Sequence, residues 1–271
     1  MSRNASPVWP GVLAVLTVVM VALIIVVPVL AVFAQALAEG FPAALQTLSD
    51  PDTRHAALLT ALAVGLSVPL NIVFGIAAAW CIARFEFWGK SALLTLIDVP
   101  FTVSPVVAGM AIITLFGSRG LFAPWLDAMD IAIVYAWPGI VLATIFVTLP
   151  FVARELIPLM QTRGPEQELA ALTLGASPWF MFWRVTFPSI LPALAYGTVL
   201  CTARAIGEFG AVSVVSGGIR GRTNTLPLAV EQLYNDYDLV AAFSVASMLA
   251  LCGLLSLAVR GWLDRRYEAR H

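Results

Sequence analysis

Three charged residues lie inside long apolar stretches of this chain. Asp98 lies two residues before a proline, and Arg204 and Glu208 are four residues apart. Side chains at that spacing share one face of an α-helix, so the last two charges can form an ion pair. A charged group at membrane depth costs several kcal/mol unless it is paired or wet. The three residues are therefore candidates for a functional site.

The pair Arg204–Glu208 has two interpretations. In one, it belongs to an internal ion-pair network that locks helices together. In the other, the arginine contributes positive potential to a pore and favours an anionic substrate. At the level of the sequence, both interpretations stay open.

No pattern in the sequence indicates an enzyme or a metal centre. The segment Gly89–Ser91 is similar to the end of a phosphate-binding loop, but the full pattern needs a glycine where Arg84 stands. We therefore expect no cofactor in this chain and no nucleotide site. The cysteines lie within apolar stretches and indicate packed thiols rather than a disulfide or metal framework. They are Cys81, Cys201 and Cys252.

The composition predicts a membrane protein. Hydrophobic residues make up 60 % of the 271 residues and charged residues only 11 %, whereas soluble domains carry about 25 % charged residues. Six apolar stretches reach the length of about 20 residues that a membrane-spanning helix needs. Their approximate bounds are Val12–Phe33, Ala57–Ile82, Ala92–Phe116, Ile131–Val152, Ile190–Val215 and Ala241–Val259.

These stretches predict an all-α, polytopic fold with six transmembrane helices. Hydrocarbon offers no hydrogen-bond partners, so a spanning segment must satisfy its own backbone groups. A β-barrel would need sustained polar and apolar alternation, which none of the stretches shows. The first stretch is longer than the 7–15 residues of a signal-peptide core, so we expect it to be retained as a helix.

Positive charges predict the orientation of the helices, because Lys and Arg are enriched on the cytoplasmic side. With a cytoplasmic N-terminus, the inner segments carry Arg3, Arg84, Lys90, Arg154, Arg163, Arg184, Arg260, Arg265, Arg266 and Arg270. The outer segments carry Arg54, Arg119, Arg220 and Arg222. This asymmetry puts both termini in the cytoplasm.

The longest interruption between apolar stretches is residues 164–192, and it has internal order. Pro165 suits the first position of a helix, and Glu168 falls in the first turn, where the helix dipole favours negative charge. Gly175 can adopt the left-handed conformation that ends a helix. Ser177-Pro178 is typical of an N-cap followed by a first-turn proline. We expect a short helix, a sharp turn and a second helix.

This segment resembles the EAA loop of ATP-binding-cassette (ABC) importer permeases, which reads Glu-Ala-Ala, three residues, Gly, nine residues, Ile-x-Leu-Pro. Ala170, Ala171 and Gly175 match that spacing, while Leu169 stands at the position of the acid and Glu168 precedes it. The resemblance implies a cytoplasmic coupling helix that docks on an ATPase; the alternative is an ordinary amphipathic connector. The implied coupling residues are Glu168, Ala170, Ala171, Gly175, Arg184 and Pro188.

Two further segments resemble signatures of sulfate and molybdate permeases. Residues 98–109 are similar to the third-span signature, and residues 204–217 to the fifth-span signature. Within both segments the resemblance is closer to the sulfate/thiosulfate branch. It implies a translocation pathway that includes Asp98, Ser104, Arg204, Glu208, Ser213 and Ser216.

The resemblance implies a type I ABC importer permease fold. Residues 1–271 then form a single transmembrane domain, with a cytoplasmic coupling loop at residues 153–189. The chain is expected to be a transport subunit and not an enzyme, in the inner membrane of a bacterium. The implied partners are a pair of ATP-binding subunits that hold the ATP, a second homologous permease subunit, a periplasmic sulfate/thiosulfate-binding protein and the lipid bilayer, with no nucleic acid.

Three functions remain open from the sequence. The first is a sulfate/thiosulfate permease subunit, and the second is a molybdate or tungstate permease that pairs with itself. The third is a secondary anion transporter or a membrane enzyme that works alone. Such a protein would need its own coupling or catalytic site, for which the sequence offers only Asp98, Arg204 and Glu208.

Overall fold

A computed structural model describes residues 8–268, and these residues form helices with no β-strand among them. Arg3, Arg270 and His271 lie outside the described residues. The helices are α1 Gly11–Ala36, α2 Phe41–Ser49, α3 Pro51–Arg84, α4 Lys90–Thr102, α5 Pro105–Phe116, α6 Ala123–Ala128, α7 Trp137–Arg163, α8 Glu166–Thr173, α9 Pro178–Ile206, α10 Gly210–Ser216, α11 Leu226–Asn235 and α12 Leu239–Glu268.

The long apolar helices confirm the predicted all-α membrane fold. Five helices, α1, α3, α7, α9 and α12, are long and apolar enough to cross a membrane. The pair α4 and α5 makes a sixth span if its two parts are counted together, but the two helices meet at an angle of 109°. The predicted third span, Ala92–Phe116, is therefore formed by two helices that meet at a sharp bend.

The bend between α4 and α5 has a local cause. Val103 and Ser104 adopt extended backbone with ψ of 131° and 134°. The ring of Pro105 disfavours helical geometry in the residue before it, so α4 cannot continue through this point. A new helix then begins at Pro105, whose missing N–H is harmless in a first turn.

Three other predicted boundaries were wrong. The predicted fifth span, Ile190–Val215, is two helices, because α9 ends at Ile206 with Gly207 as its C-cap. The predicted fourth span corresponds to α7, which begins at Trp137 rather than at Ile131, with Pro138 in its first turn. The same helix continues to Arg163, beyond the predicted end of that span at Val152.

Helix α7 lies at the centre of the bundle. In its most apolar 18-residue window 61 % of the residues are buried, compared with none in α1. Its buried side chains pack between α3 and α9 in one continuous apolar cluster. Fully buried members of that cluster include Ala79, Ile82, Val152, Leu156 and Ile190.

One polar contact joins the same three helices. Asn71 of α3, which is 1 % exposed, donates a hydrogen bond of 2.7 Å from Nδ2 to Thr148 Oγ1 of α7. The same Nδ2 lies 3.8 Å from Cys201 Sγ of α9. Hydrogen bonds between helices are worth about 0.6 kcal/mol on average in a membrane, so this contact adds mainly to the specificity of the packing.

A close approach between α3 and α7 generates the first prediction. A Cβ added at Gly75 would lie 2.6 Å from Val152 Cγ1, whereas a Cβ added at Gly65 in the same helix would meet nothing within 4 Å. Gly75→Ala is expected to destabilise the bundle by about 1–3 kcal/mol, the range typical of overpacking. Unfolding in mixed micelles with increasing sodium dodecyl sulfate measures the effect.

The matched control is Gly65→Ala. This change is expected to be neutral or slightly stabilising, because alanine is a better helix former than glycine. Equal stability of the two variants would contradict the close packing of α3 against α7.

Candidate functional site

The turn between α8 and α9 has the geometry that the sequence predicts. Gly175 has a φ of 90°, the Gly175 N–H donates to Leu172 O and the Ala176 N–H donates to Ala171 O, both at 3.0 Å. This is the Schellman arrangement that closes the last turn of a helix. Ser177 Oγ then accepts a hydrogen bond of 3.3 Å from the N–H of Phe180 and caps α9. The predicted helix, turn and second helix are confirmed, with Pro165 as N-cap rather than as first residue.

One side of α8 is open and apolar. Leu169 is 55 % exposed, Leu172 39 % and Leu174 88 %. Ala170 lies beside them and is exposed, while Ala171 is half-buried. Leu174 is the C-cap residue that follows α8, and we call Leu169, Leu172 and Leu174 the leucine face of α8.

The start of α9 carries exposed aromatic side chains next to the leucine face. Trp179, Phe180 and Trp183 are each at least 46 % exposed. The guanidinium of Arg184 lies 5.8 Å from the centroid of the Phe180 ring, within the range of a cation–π contact. Pro188 is exposed and lies in the first turn of the regular helix, which begins at Phe187 after a π-helical turn at Phe182–Thr186.

Glu168 points away from the leucine face and into the bundle. It is 7 % exposed, and its Oε2 lies 2.7 Å from Nε of Arg84, the last residue of α3. Its Oε1 accepts a hydrogen bond of 2.8 Å from the hydroxyl of Thr186. The acidic residue of the EAA-like segment therefore contacts other helices of its own chain.

The bend between α4 and α5 lies against the break between α9 and α10. A Cβ added at Gly210, the first residue of α10, would lie 2.9 Å from Cβ of Pro105, the first residue of α5. Further along, a Cβ added at Gly109 would lie 2.8 Å from the carbonyl oxygen of Ala211. The two segments singled out as signatures in the sequence are thus packed together, with glycine at both close approaches.

Arg204 and Glu208 form an ion pair across the break between α9 and α10. Arg204 Nη2 lies 2.6 Å from Glu208 Oε2. The expectation that the two residues share a helix face was wrong, because α9 ends at Ile206 and Glu208 lies in the connection. Glu208 Oε1 also accepts a hydrogen bond of 3.0 Å from the N–H of Ala211 in the first turn of α10.

The two partners differ in exposure. The Glu208 side chain is 1 % exposed, whereas the Arg204 side chain is 33 % exposed. A buried carboxylate with two partners is held in one place. The Arg204 side chain is one-third exposed, and a guanidinium carries five N–H donors, of which the contact with Glu208 engages Nη2. The arrangement can therefore hold an anion beside the break without separating the ion pair.

Asp98 lies in a different ion pair. Arg154 Nε of α7 donates a hydrogen bond of 2.8 Å to Asp98 Oδ1, and the same guanidinium lies 4.8 Å from the centroid of the Phe101 ring. The side chains of Asp98 and Arg154 are 40 % and 54 % exposed, so this pair lies on the outside of the subunit.

The three predicted pathway serines differ in their environments. Ser104 is exposed at the bend before α5. Ser213 is half-buried and donates its hydroxyl hydrogen to Gly210 O at 2.9 Å. Ser216 is fully enclosed, and its Oγ accepts a hydrogen bond of 3.1 Å from Gly218 N–H, so it shapes the turn after α10 and lines no open surface in this structure.

Sequence reasoning missed three residues of these contacts: Arg84, Arg154 and Thr186. The first two were counted only as charges that orient the helices, and their partners lie 84 and 56 positions away in the sequence. Among residues 8–268, apart from side chains at the two ends, no group of three or more His, Cys, Asp or Glu is arranged to hold a metal ion.

Residues 71–269 match the family described as "Binding-protein-dependent transport system inner membrane component". The chain belongs to this family. It is accordingly a multi-pass inner-membrane transport component and not an enzyme, as the resemblance implied.

Curated relatives extend the similarity over most of the chain. The chain is 51 % identical over 247 residues to the sulfate transport system permease protein CysW of Escherichia coli strain K12, covering 91 % of this chain and 85 % of that protein. It is 48 % identical to sulfate permease 2, chloroplastic, of Chlamydomonas reinhardtii, covering 92 % and 66 %. It is 34 % identical to the E. coli permease protein CysT, covering 92 % and 90 %.

The fold is also that of a solved importer. The chain is similar to a bacterial ABC transporter involved in the import of the acidic polysaccharide alginate, with a TM-score of 0.76 and 17 % identity, covering 96 % of this chain and 95 % of that one. This match confirms the predicted ABC importer permease fold.

The turn at Gly175 generates the second prediction. A side chain at this φ of 90° is strained, although a Cβ added there would meet nothing within 4 Å. Gly175→Val is therefore expected to distort the turn by backbone strain alone, of about 1–3 kcal/mol, and to abolish transport by an assembled complex. Uptake of substrate and co-purification of the partner subunits measure the two effects.

Gly175→Asn is the matched variant, because asparagine tolerates positive φ better than valine does. It is expected to retain more uptake than the valine variant. Normal uptake by a well-expressed Gly175→Val protein would count against a role of the turn in transport.

Proposed function

We propose that this chain is a membrane permease subunit of an ATP-driven, binding-protein-dependent importer that moves sulfate and thiosulfate across the bacterial inner membrane. The 51 % identity to a sulfate transport system permease protein over 91 % of the chain carries this proposal. The partly exposed Arg204 side chain beside the break between α9 and α10 supports an anionic substrate.

The translocation path is proposed to run past these breaks. Discontinuous helices inside membranes are tolerated where they line a cavity, and transporters use them to form binding sites. The N-terminus of α5 brings the positive end of a helix dipole to the position where Pro105 meets Gly210. Together with Arg204, this end favours a dianion, with Asp98, Ser104, Glu208, Ser213 and Ser216 as further candidates along the path.

The leucine face of α8 is proposed as the docking surface for a separate ATPase. An exposed apolar patch at the end of a membrane bundle marks an interaction site. In this proposal a pair of ATP-binding subunits holds the ATP. The contact region on this chain comprises the turn at Gly175 and the residues Ala170, Ala171, Arg184 and Pro188. Glu168 is buried and supports this region from the side of the bundle. This assignment rests on the EAA-like spacing of the segment.

A second, related permease subunit is proposed as the lateral partner. The pair Asp98–Arg154 is more than one-third exposed on both sides, and lipid is a costly environment for charge. This face therefore suits a wet path or a protein partner better than lipid. Similarity to both CysW and CysT supports a pair of related but non-identical permeases.

The remaining partners follow from the orientation. The ten-to-four asymmetry of Lys and Arg supports cytoplasmic termini and a cytoplasmic α8. A periplasmic binding protein would then deliver sulfate or thiosulfate at the opposite end. A secondary transporter or a lone membrane enzyme is not favoured, because the family is binding-protein-dependent. The similarity to sulfate permeases does not favour molybdate or tungstate as the substrate.

Uptake of labelled sulfate tests the proposed function. A strain that lacks this gene is compared with the same strain carrying it, with unlabelled thiosulfate or molybdate as competitor. Restored uptake that thiosulfate inhibits and molybdate does not is the expected result. Uptake of molybdate in place of sulfate would overturn the proposed substrate.

The ion pair at the helix break generates the third prediction. Arg204→Ala is expected to reduce sulfate uptake by more than tenfold, because the path loses its cation. Arg204→Lys is expected to restore it only partly, since lysine lacks the planar fork that can bind Glu208 and still present donors.

The decisive variant is the double change Arg204→Ala with Glu208→Gln. It removes both charges, while glutamine keeps the acceptor for Ala211 N–H that alanine would lose. An uncompensated buried charge is thereby avoided. If Arg204 binds the anion, the double variant assembles but does not transport sulfate. Restored uptake would show that the ion pair has only a structural role.

Orientation generates the fourth prediction. A reporter that is active only in the cytoplasm is expected to be active when fused after the last residue. Fused at Asp127 in α6, it is expected to be silent. The opposite pattern would refute both the orientation and the docking of a cytoplasmic ATPase on α8.

A further inference from the structure

A bidentate ion pair between Arg84 and Glu168 connects the end of α3 to α8. Arg84 Nε lies 2.7 Å from Glu168 Oε2, and Arg84 Nη2 donates to Glu168 Oε1 at 3.3 Å. The two side chains are only 10 % and 9 % exposed. Two parallel N–H···O contacts fix both the distance and the angle between the partners, which a single contact does not.

Two further contacts extend this pair to the centre of the bundle. Arg84 Nη1 donates to the carbonyl oxygen of Met160 in α7 at 2.7 Å. The hydroxyl of Thr186, which is 1 % exposed in the π-helical turn of α9, donates to Glu168 Oε1 at 2.8 Å. One carboxylate of α8 is thus connected to α3, α7 and α9, and we call Arg84, Glu168 and Thr186 with Met160 O the α8 latch.

Glu168 of the latch and Leu169 of the leucine face point in different directions from the same short helix. Successive residues of an α-helix are rotated by about 100°. Glu168 is 7 % exposed, whereas its neighbour Leu169 is 55 % exposed. The carboxylate therefore faces the bundle, while Leu169 is open to a partner docked on the leucine face.

We propose that Arg84 and Glu168 are positioning residues that transmit movement of α8 into the membrane helices. A displacement of α8 pulls on α3 through Arg84 and on α9 through Thr186, and α9 is the helix that ends at the Arg204–Glu208 break. This inference rests on the proposed function, in which an ATPase docks on α8.

The chemistry of the latch defines the test variants. Lysine at position 84 can reach Glu168 or Met160 O but has no fork to reach both. Removing one partner leaves a buried charge, which is destabilising, whereas replacing both by neutral groups of similar volume is tolerated. Arg84→Met with Glu168→Gln is therefore the variant expected to fold and assemble, and Thr186→Val removes one hydrogen bond without changing charge.

The experiment uses the complete complex in proteoliposomes: both permease subunits, the ATPase pair and the binding protein loaded with labelled sulfate. The measured quantity is sulfate transported per ATP hydrolysed, with co-purification and thermal stability as measures of assembly. We expect this ratio to fall at least fivefold in the double variant and in Arg84→Lys, and about twofold in Thr186→Val.

Glu166→Gln is the matched control, because Glu166 is exposed on the same helix. It is expected to keep the wild-type ratio. A double variant that assembles and keeps the wild-type ratio would overturn the proposal, and so would reduced stability with an unchanged ratio, since that is the mark of a scaffold contact.

The proposed function fails in a different way. If the wild-type complex does not bind an ATPase or does not transport sulfate, the function is wrong whatever the latch variants do. If the wild type couples transport to hydrolysis and the variants do so equally well, only the latch proposal is wrong.

Discussion

A bilayer offers no hydrogen-bond partners to a broken helix, and this constraint organises the whole structure. Two membrane segments are interrupted, at Val103–Ser104 and at Gly207–Phe209. Both interruptions are placed against each other, and glycine at 109 and 210 allows the backbones to approach. Glu208 satisfies an amide at the start of α10. The two breaks are therefore packed as a pair.

The charged side chains follow from the same constraint. Two ion pairs lie within or beside the spanning segments: Arg204 with Glu208 and Asp98 with Arg154. The two pairs differ in surroundings, because Glu208 is enclosed while Asp98 and Arg154 face outwards. An enclosed pair can hold a helix break in register, and an outward pair suits a neighbouring subunit or a wet path. The fold thus separates two tasks that a list of charged residues would merge.

The end of the molecule that carries α8 is joined to the centre through one buried carboxylate. Helix α8 has a leucine face towards the outside and one carboxylate towards the bundle, and that carboxylate reaches three spanning helices through Arg84, Met160 O and Thr186. Apolar contact surfaces tolerate variation, whereas a forked ion pair fixes an angle. Binding and transmission can therefore be carried by different faces of one two-turn helix.

Much of this protein was readable from the sequence, because hydropathy and turn chemistry act locally. The long apolar stretches, the left-handed Gly175 and the Ser177 cap were all predicted correctly. The 109° bend at Pro105 and the end of α9 at Ile206 were not, although the proline and glycine that cause them were visible. A proline in a membrane helix can be absorbed or can break the helix, and only the surrounding packing decides.

The partners of the charged residues were decided by tertiary structure alone. Arg84 and Glu168 are 84 residues apart, and Asp98 and Arg154 are 56 apart. No local spacing rule reaches across such separations, because the contact exists only after α3, α7 and α8 have packed. The sequence determined which residues are charged at membrane depth and where the turn between α8 and α9 lies. The packing of α7 between α3 and α9 determined which charges meet.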